Sequence, residues 1–287
     1  MGPGPSSCDN GPVKLAKHHG LGNDFLICDP EGFTPSAEDR VAWSRAWSDR
    51  RRGFGADGVM FLLGASAPAD LTMILHNADG SRAELSGNGI RCFAHAALRW
   101  QGRDEGTVSI ASDAGLKIVR VTADANDPTL VSAEVGMGHV DVGPDLPASL
   151  VGVGSWRGTA SIGNPHLVVE VEPGDLEITD VGPRWESEFA AGINVHLAHL
   201  EQLDGGTSSR LRIHTWERGA GLTEACGTGA TVAAELFRRR GLVDSTVEVA
   251  MVGGSVEVRS EADGEQVLVG PSQLIGDLTP ALAMMHS

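Results

Sequence analysis

Two short segments hold residues that could do acid–base chemistry at the start of a helix. Ser86-Gly87-Asn88-Gly89 and Cys226-Gly227-Thr228-Gly229 each set a hydroxyl or a thiol just before a run with helical spacing, and they stand 140 residues apart. A helix start presents unpaired backbone N–H groups and roughly half a positive charge, so it can hold a carboxylate. Flanking glycines let a ligand approach the backbone closely. Two such starts facing each other would grip one anion from two sides. The first helical turn also acidifies a thiol, from about 8.5 toward neutrality, so Cys226 reads as a reactive thiolate. With Ser86 opposite, the pair would stand on two faces of one substrate carbon, ready to remove a proton from one side and return it from the other. That is a cofactor-independent racemase or epimerase arrangement. Its weak point is Ser86, because a neutral hydroxyl is a far poorer base than a thiolate and needs a neighbour to activate it.

The elements that would position these groups come in two matching series. Asn77 lies nine residues before Ser86 and Glu217 nine before Cys226, while Gly22-Asn23 and Gly163-Asn164 stand 141 apart. Landmarks at a common offset of about half the chain indicate a tandem duplication, with two similar domains facing each other. Helical spacing covers 39–50, 90–99 and 230–240. Apolar or alternating runs mark strands at 59–63, 71–75, short pieces within 107–135, 152–160, 166–171, 211–216, 247–258 and 265–269.

Composition narrows the partners. In 287 residues, 22 Lys and Arg stand against 38 Asp and Glu, a formal net charge of −16 that repels polyanions, so nucleic acid is not an expected ligand. No stretch approaches the ~18 apolar residues that span a bilayer, and the start lacks a basic-then-apolar leader. The expectation is a cytoplasmic protein with an unstructured tail over 1–12. The chain has no Tyr and only three Lys, which excludes a phenol base and leaves few Schiff-base candidates. Four scattered cysteines without a Cys-x-x-Cys suggest neither a zinc site nor a redox pair, and no metal is expected. Cys92, six residues into the helix after Ser86, reads as a buried structural thiol, and Cys8 and Cys28 carry no functional weight. Gly53-Phe54-Gly55-Ala56-Asp57-Gly58 spells a dinucleotide fingerprint but follows arginines and precedes a strand-like run, so it is discounted. His196 and His199 would point to opposite faces of a strand and are read as packing histidines.

The motifs resemble those of the diaminopimelate epimerase family. His76-Asn77-Ala78-Asp79-Gly80-Ser81, Ser86-Gly87-Asn88-Gly89-Ile90-Arg91-Cys92 and the run from Trp216 to Gly229 carry the likeness. Gly20 to Phe25, Gly163-Asn164-Pro165-His166 and Gly192-Ile193-Asn194-Val195 follow the family's order, over roughly 14–270. The resemblance implies an α+β fold of two pseudo-symmetric domains, each a β-barrel-like sheet around a central helix, with the site in the cleft between them. The halves would span 13–130 and 131–270, with 271–287 returning to the first. The implied reaction interconverts LL- and meso-2,6-diaminopimelate without cofactor, in lysine and peptidoglycan-precursor synthesis, by a soluble enzyme that often forms homodimers. The family uses two cysteines as its acid–base pair: Cys226 matches the second, and Ser86 occupies the place of the first. By the same carry-over, Gly87, Asn88, Gly227 and Thr228 would hold the reacting α-carboxylate. Asn23, Asn77, Asn164, Asn194, Glu217 and Arg218 would read the amine and the distal amino-acid end, and His166 with Glu217 would set the protonation of the catalytic groups. The alternatives are a related racemase or dehydratase with a Ser/Cys site, or a catalytically impaired amino-acid-binding variant.

Overall fold

A computed structural model describes residues 13–31, 34–65, 67–203 and 208–281. The expected tail 1–12, with Cys8, lies outside the described residues.

The first series runs β1 (Lys14–Gly20), β2 (Asn23–Asp29), α1 (Ala37–Ser48), β3 (Gly58–Leu63), β4 (Leu71–Asn77), β5 (Arg82–Ala83), α2 (Gly87–Trp100), β6 (Gly106–Ser112), β7 (Gly115–Ala123) and β8 (Leu130–Gly138). A short β9 (Asp141–Val142) leads into the second: β10 (Trp156–Ser161), β11 (Pro165–Glu170), α3 (Ile178–Ser187), β12 (Asn194–Leu203), β13 (Ser208–Glu217), β14 (Gly221–Thr223), α4 (Gly227–Arg239), β15 (Thr246–Met251), β16 (Gly254–Ser260) and β17 (Gln266–Leu278). The pairing repeats as faithfully as the order. β2 and β3 are parallel around α1 as β11 and β12 are around α3, and β4 lies parallel to β6 as β13 does to β15.

Each series closes on itself. In the first, β1, β2, β3, β4, β6, β7, β8 and β17 form a ring, because β17 pairs with both β8 and β1. In the second, β10 through β13, β15, β16 and β17 return by way of β8 and its continuation β9 to β10. The long β17 is shared: Gln266 to Val269 pair with β16, while residues from Gln273 to Leu278 pair with β1. Closure pairs every strand of each ring on both sides, leaving only the short β5 and β14 as edges among the described residues, and the interior of each ring holds one helix.

Those inner helices are buried all round. Every residue of α2 from Gly87 to Leu98 is buried, and α4 is buried from Gly229 to Phe237. Small residues such as Ala94, Ala96 and Ala97, and Ala230, Ala233 and Ala234, allow a whole helix to fit inside a ring of strands. Both helices begin at the glycines, three residues before the apolar periodicity that marks them in sequence. By contrast, α1 packs outside the first ring through Trp43 and Trp47, which stack 5.1 Å apart over Phe61. A capping box between Ser36 and Asp39 fixes its start. On the second ring α3 takes the equivalent place with Ile178, Val181 and Trp185. Among the described residues no helix is long and apolar enough to cross a membrane.

Candidate functional site

The site forms where α2 and α4 meet start to start. Ser86 and Cys226 are their N-cap residues with nearly the same extended backbone, φ −124° and ψ 125° against φ −130° and ψ 106°. Each accepts the N–H of the third residue on, Gly89 to Ser86 Oγ at 3.0 Å and Gly229 to Cys226 Sγ at 3.4 Å. Gly87 and Gly227 face each other so closely that a Cβ on Gly87 would lie 3.5 Å from the Gly227 Cα, and one on Gly227 only 2.9 Å from Leu268. Two positive helix ends therefore converge on one point, with Ser86 on one side and Cys226 on the other. An anion between them gains from both.

The thiol differs from the acidified thiolate expected of a helix start. Cys226 is only 3% exposed. Burial pushes its pKa far up and the neighbouring Glu217 carboxylate adds to that, outweighing the help from the Thr228 hydroxyl and the Gly229 N–H. Cys226 is therefore a thiol at neutral pH in this arrangement, a proton donor at rest. Glu217 is itself raised by burial, although Thr223 Oγ1 donates to its Oε1 at 2.8 Å. Each group resists carrying charge beside the other, so the pair favours holding one proton between them. Cys92 lies fully buried inside α2, its pKa raised to about 11 by burial, and is structural as expected. Cys28 is likewise buried and raised.

The amides gather around this junction in two groups. Asn88 Nδ2 reaches Asn23 Oδ1 and the Ala225 carbonyl, both at 3.4 Å, so it bridges the halves. Arg91, fully buried, holds Asn88 Oδ1 at 2.8 Å and the Gly87 carbonyl at 2.9 Å. Asn23 donates to Asp57 at 2.6 Å, and Asp57 joins Arg50, which also pairs with Asp24. In the second half, Asn194 donates to the Pro165 carbonyl at 2.9 Å and accepts from the Arg218 N–H at 3.0 Å. The Arg218 guanidinium is exposed and reaches the Ala191 carbonyl at 3.2 Å. Asn77 is exposed at the end of β4 and donates to Ser81 Oγ at 3.0 Å. His166 is fully buried, and its hydrogen bonds run to Asn164 and His196, each at 2.9 Å, rather than to Glu217.

Sequence reasoning gave Arg91, Asp57 and Thr215 no place at the junction and read His196 as a packing histidine; in the structure His196 Nδ1 lies 3.0 Å from Thr215 Oγ1. Arg91 carried a signal, as a cation one turn inside an apolar helix, whereas His196 matters only through the strand pairing that sets it beside His166. Among the described residues no three His, Cys, Asp or Glu side chains converge as metal ligands.

A closed pair of barrels whose central helices abut at starts capped by Ser86 and Cys226 is a fold shared with solved epimerases. A hydroxyproline epimerase from Agrobacterium vitis, solved with bound trans-4-hydroxy-L-proline, shares the fold with a TM-score of 0.67 at 19% identity, over 94% of this chain and 92% of that one. The sequence is more specific. The diaminopimelate epimerase family model matches residues 15–142 and 158–275. A diaminopimelate epimerase of Synechocystis sp. is 34% identical over 282 residues, covering 92% of this chain and 97% of its own length. That of Bacteroides thetaiotaomicron is 32% identical over 273 residues, with coverage of 92% and 97%. The chain belongs to the diaminopimelate epimerase family.

Proposed function

We propose that the chain interconverts LL- and meso-2,6-diaminopimelate by moving a proton at one α-carbon, with Cys226 and Ser86 as the two acid–base groups. The observation that carries this reading is the abutment of two helix starts with those two residues as their caps, in a chain of this family. The reacting α-carboxylate would sit against the N–H groups of Gly87, Asn88, Gly227 and Thr228. As the Cα–H bond breaks, its electron pair spreads into that carboxylate, and the helix ends stabilise the added charge more than they stabilise the substrate.

Proton balance follows from the resting states. Forward, the deprotonated Ser86 oxygen takes the α-proton while Cys226 delivers its own to the opposite face of Cα, leaving Ser86 a hydroxyl and Cys226 a thiolate. In reverse that thiolate takes the α-proton while the Ser86 hydroxyl gives its proton to the other face, and Glu217 would trade protons with Cys226 only between turnovers. Asn23, Asn77, Asn164, Asn194 and Arg218 would then bind the amine and the distal amino-acid end, whose charges need partners once water leaves. His166, buried and neutral, acts through Asn164. The same reading makes the enzyme a cytoplasmic homodimer whose halves divide near 130 and whose partner is a small molecule. Its charge of −16 supports the absence of a nucleic-acid partner.

Ser86 favours one second reading. If the hydroxyl cannot act as a base, the Cys226 face alone would exchange a proton or eliminate a β-substituent, as a one-sided racemase-like enzyme or dehydratase would. Chiral chromatography of LL-diaminopimelate incubated with the protein separates the two. Appearance of the meso isomer supports epimerisation; unchanged LL isomer at high protein concentration overturns it.

A further inference from the structure

The second barrel buries a polar chain where the first is apolar. His166 Nε2 lies 2.9 Å from Asn164 Oδ1, His166 Nδ1 lies 2.9 Å from His196 Nε2, and His196 Nδ1 lies 3.0 Å from Thr215 Oγ1. The two rings stack at 25°, and both are fully buried. Strand register identifies what occupies these places in the first half. His166 pairs with Asn194 as Phe25 pairs with Gly58, and His196 lies opposite Thr215 as Met60 lies opposite Leu75. The same fold thus closes with Phe25, Met60 and Leu75 where the second half sets His166, His196 and Thr215. Buried polar groups cost free energy unless every one is paired, so the fold has no need of the histidines.

The chain also has a direction. An amide oxygen only accepts, so His166 carries its proton on Nε2 and offers Nδ1 as an acceptor. His196 must then donate from Nε2, which leaves its Nδ1 to accept from the Thr215 hydroxyl. Burial keeps both rings neutral, with His196 held down near a pKa of about 3, so neither breaks this order by taking a second proton. At the other side, the His196 ring lies under α4: a Cβ on Gly229 would fall 2.2 Å from its Cε1. Gly229 donates its N–H to Sγ of the N-cap Cys226. In the first half Met60 fills the equivalent place beneath Gly89.

We infer that His196 is a positioning residue: it holds His166 in the Nε2–H form that donates to the Asn164 oxygen, so that the Asn164 Nδ2 donors stay free for an anionic group of the substrate, and it supports the Gly229 N–H on Cys226. The substrate part rests on the function proposed above; the proton order does not.

Nitrogen NMR of the full chain with labelled histidine tests it, because protonated and bare ring nitrogens resonate far apart. The wild type is expected to show His166 and His196 each protonated at Nε2 alone. His196→Met, which copies the first half, is expected to keep the fold, release His166 from that single form, and slow α-proton exchange of diaminopimelate about tenfold to a hundredfold. An unchanged His166 pattern, or unchanged exchange, in that variant overturns the inference. Thr215→Val serves if His196→Met does not fold. Its His196 Nδ1 signal is expected to move to the unbonded position, and a signal that stays put refutes the relay. A wild type that shows the proton order but no exchange would overturn the functional reading and leave the relay standing.

Discussion

Gly87 and Gly227 touch across the middle of the molecule, the Cβ position of one lying 3.5 Å from the Cα of the other. The central helices of the two barrels therefore meet at their positive ends, an arrangement that repels itself until an anion lies between them. Gly87→Ala separates this role from packing, because its Cβ would meet neighbours only at 3.5 Å or beyond, at ordinary contact distance. Thermal unfolding should be nearly unchanged while KM for diaminopimelate rises at least tenfold. Gly227→Ala, pressed to 2.9 Å from Leu268, should instead also cost about 1–3 kcal/mol of stability. Wild-type KM in Gly87→Ala would remove the helix ends from the binding site.

Ser86 limits the rate in this account. Ser86→Cys keeps the N-cap position and supplies a stronger base, so epimerisation should rise by about 10²–10⁴-fold, the range of one general acid–base group. Steady-state rates from chiral chromatography give the comparison. An unaltered or lower rate would mean that the Ser86 face is not the slow one.

Burial holds the Cys226 pKa up and the Glu217 charge adds to it, so removing that charge should ease ionisation of the thiol. In Glu217→Gln the thiol should ionise at lower pH, and iodoacetamide should modify Cys226 faster at a fixed pH near 8, while turnover falls. The readout is alkylation followed by mass spectrometry across pH. Slower alkylation than wild type would show that Glu217 acts as the base for the thiol before substrate arrives.

The place of the candidate site was legible because it is concentrated in two glycine-rich helix starts, which the structure brings together. Ser86, Cys226 and the duplication follow from the spelling of those starts, and family resemblance supplied the two-barrel expectation. Helix α3 was not legible: Gly182 and Pro183 interrupt the spacing of Ile178, Val181 and Trp185. The structure explains the glycine, since a Cβ there would lie 2.6 Å from the Trp216 side chain. The sharing of β17 between rings was also invisible, because register between distant strands leaves no local mark. The thiol's protonation was misread because helix position is a local property, while burial and the approach of Glu217 are not.

The β12–β13 hairpin carries Asn194, His196, Thr215 and Glu217, and its ion pairs set an acid limit. Hydrogen bonds from Arg212 and Arg210 hold the Glu201 pKa down to about 2, with Arg210 Nε at 2.6 Å. A lowered folded-state pKa adds stability above the unfolded carboxylate value, which is lost as pH falls toward the folded one. Glu201→Gln should therefore be less stable than wild type at pH 7 by about 1 kcal/mol, discounted for partial exposure. That difference should shrink below about pH 4.5 and vanish near pH 2. Denaturant melts at several pH values check it, and a pH-independent difference would mean that packing, not charge, is lost.

Ser86 and Cys226 are proposed to act on opposite faces of one α-carbon. Proton NMR of LL-diaminopimelate with the protein in D₂O tests it most directly, following loss of the α-proton signal and formation of the meso isomer together. Deuterium entry coupled to inversion is expected, with each new meso molecule deuterated at the inverted centre. Deuterium entry with full retention of the LL configuration would contradict it, because only one face would then be moving protons.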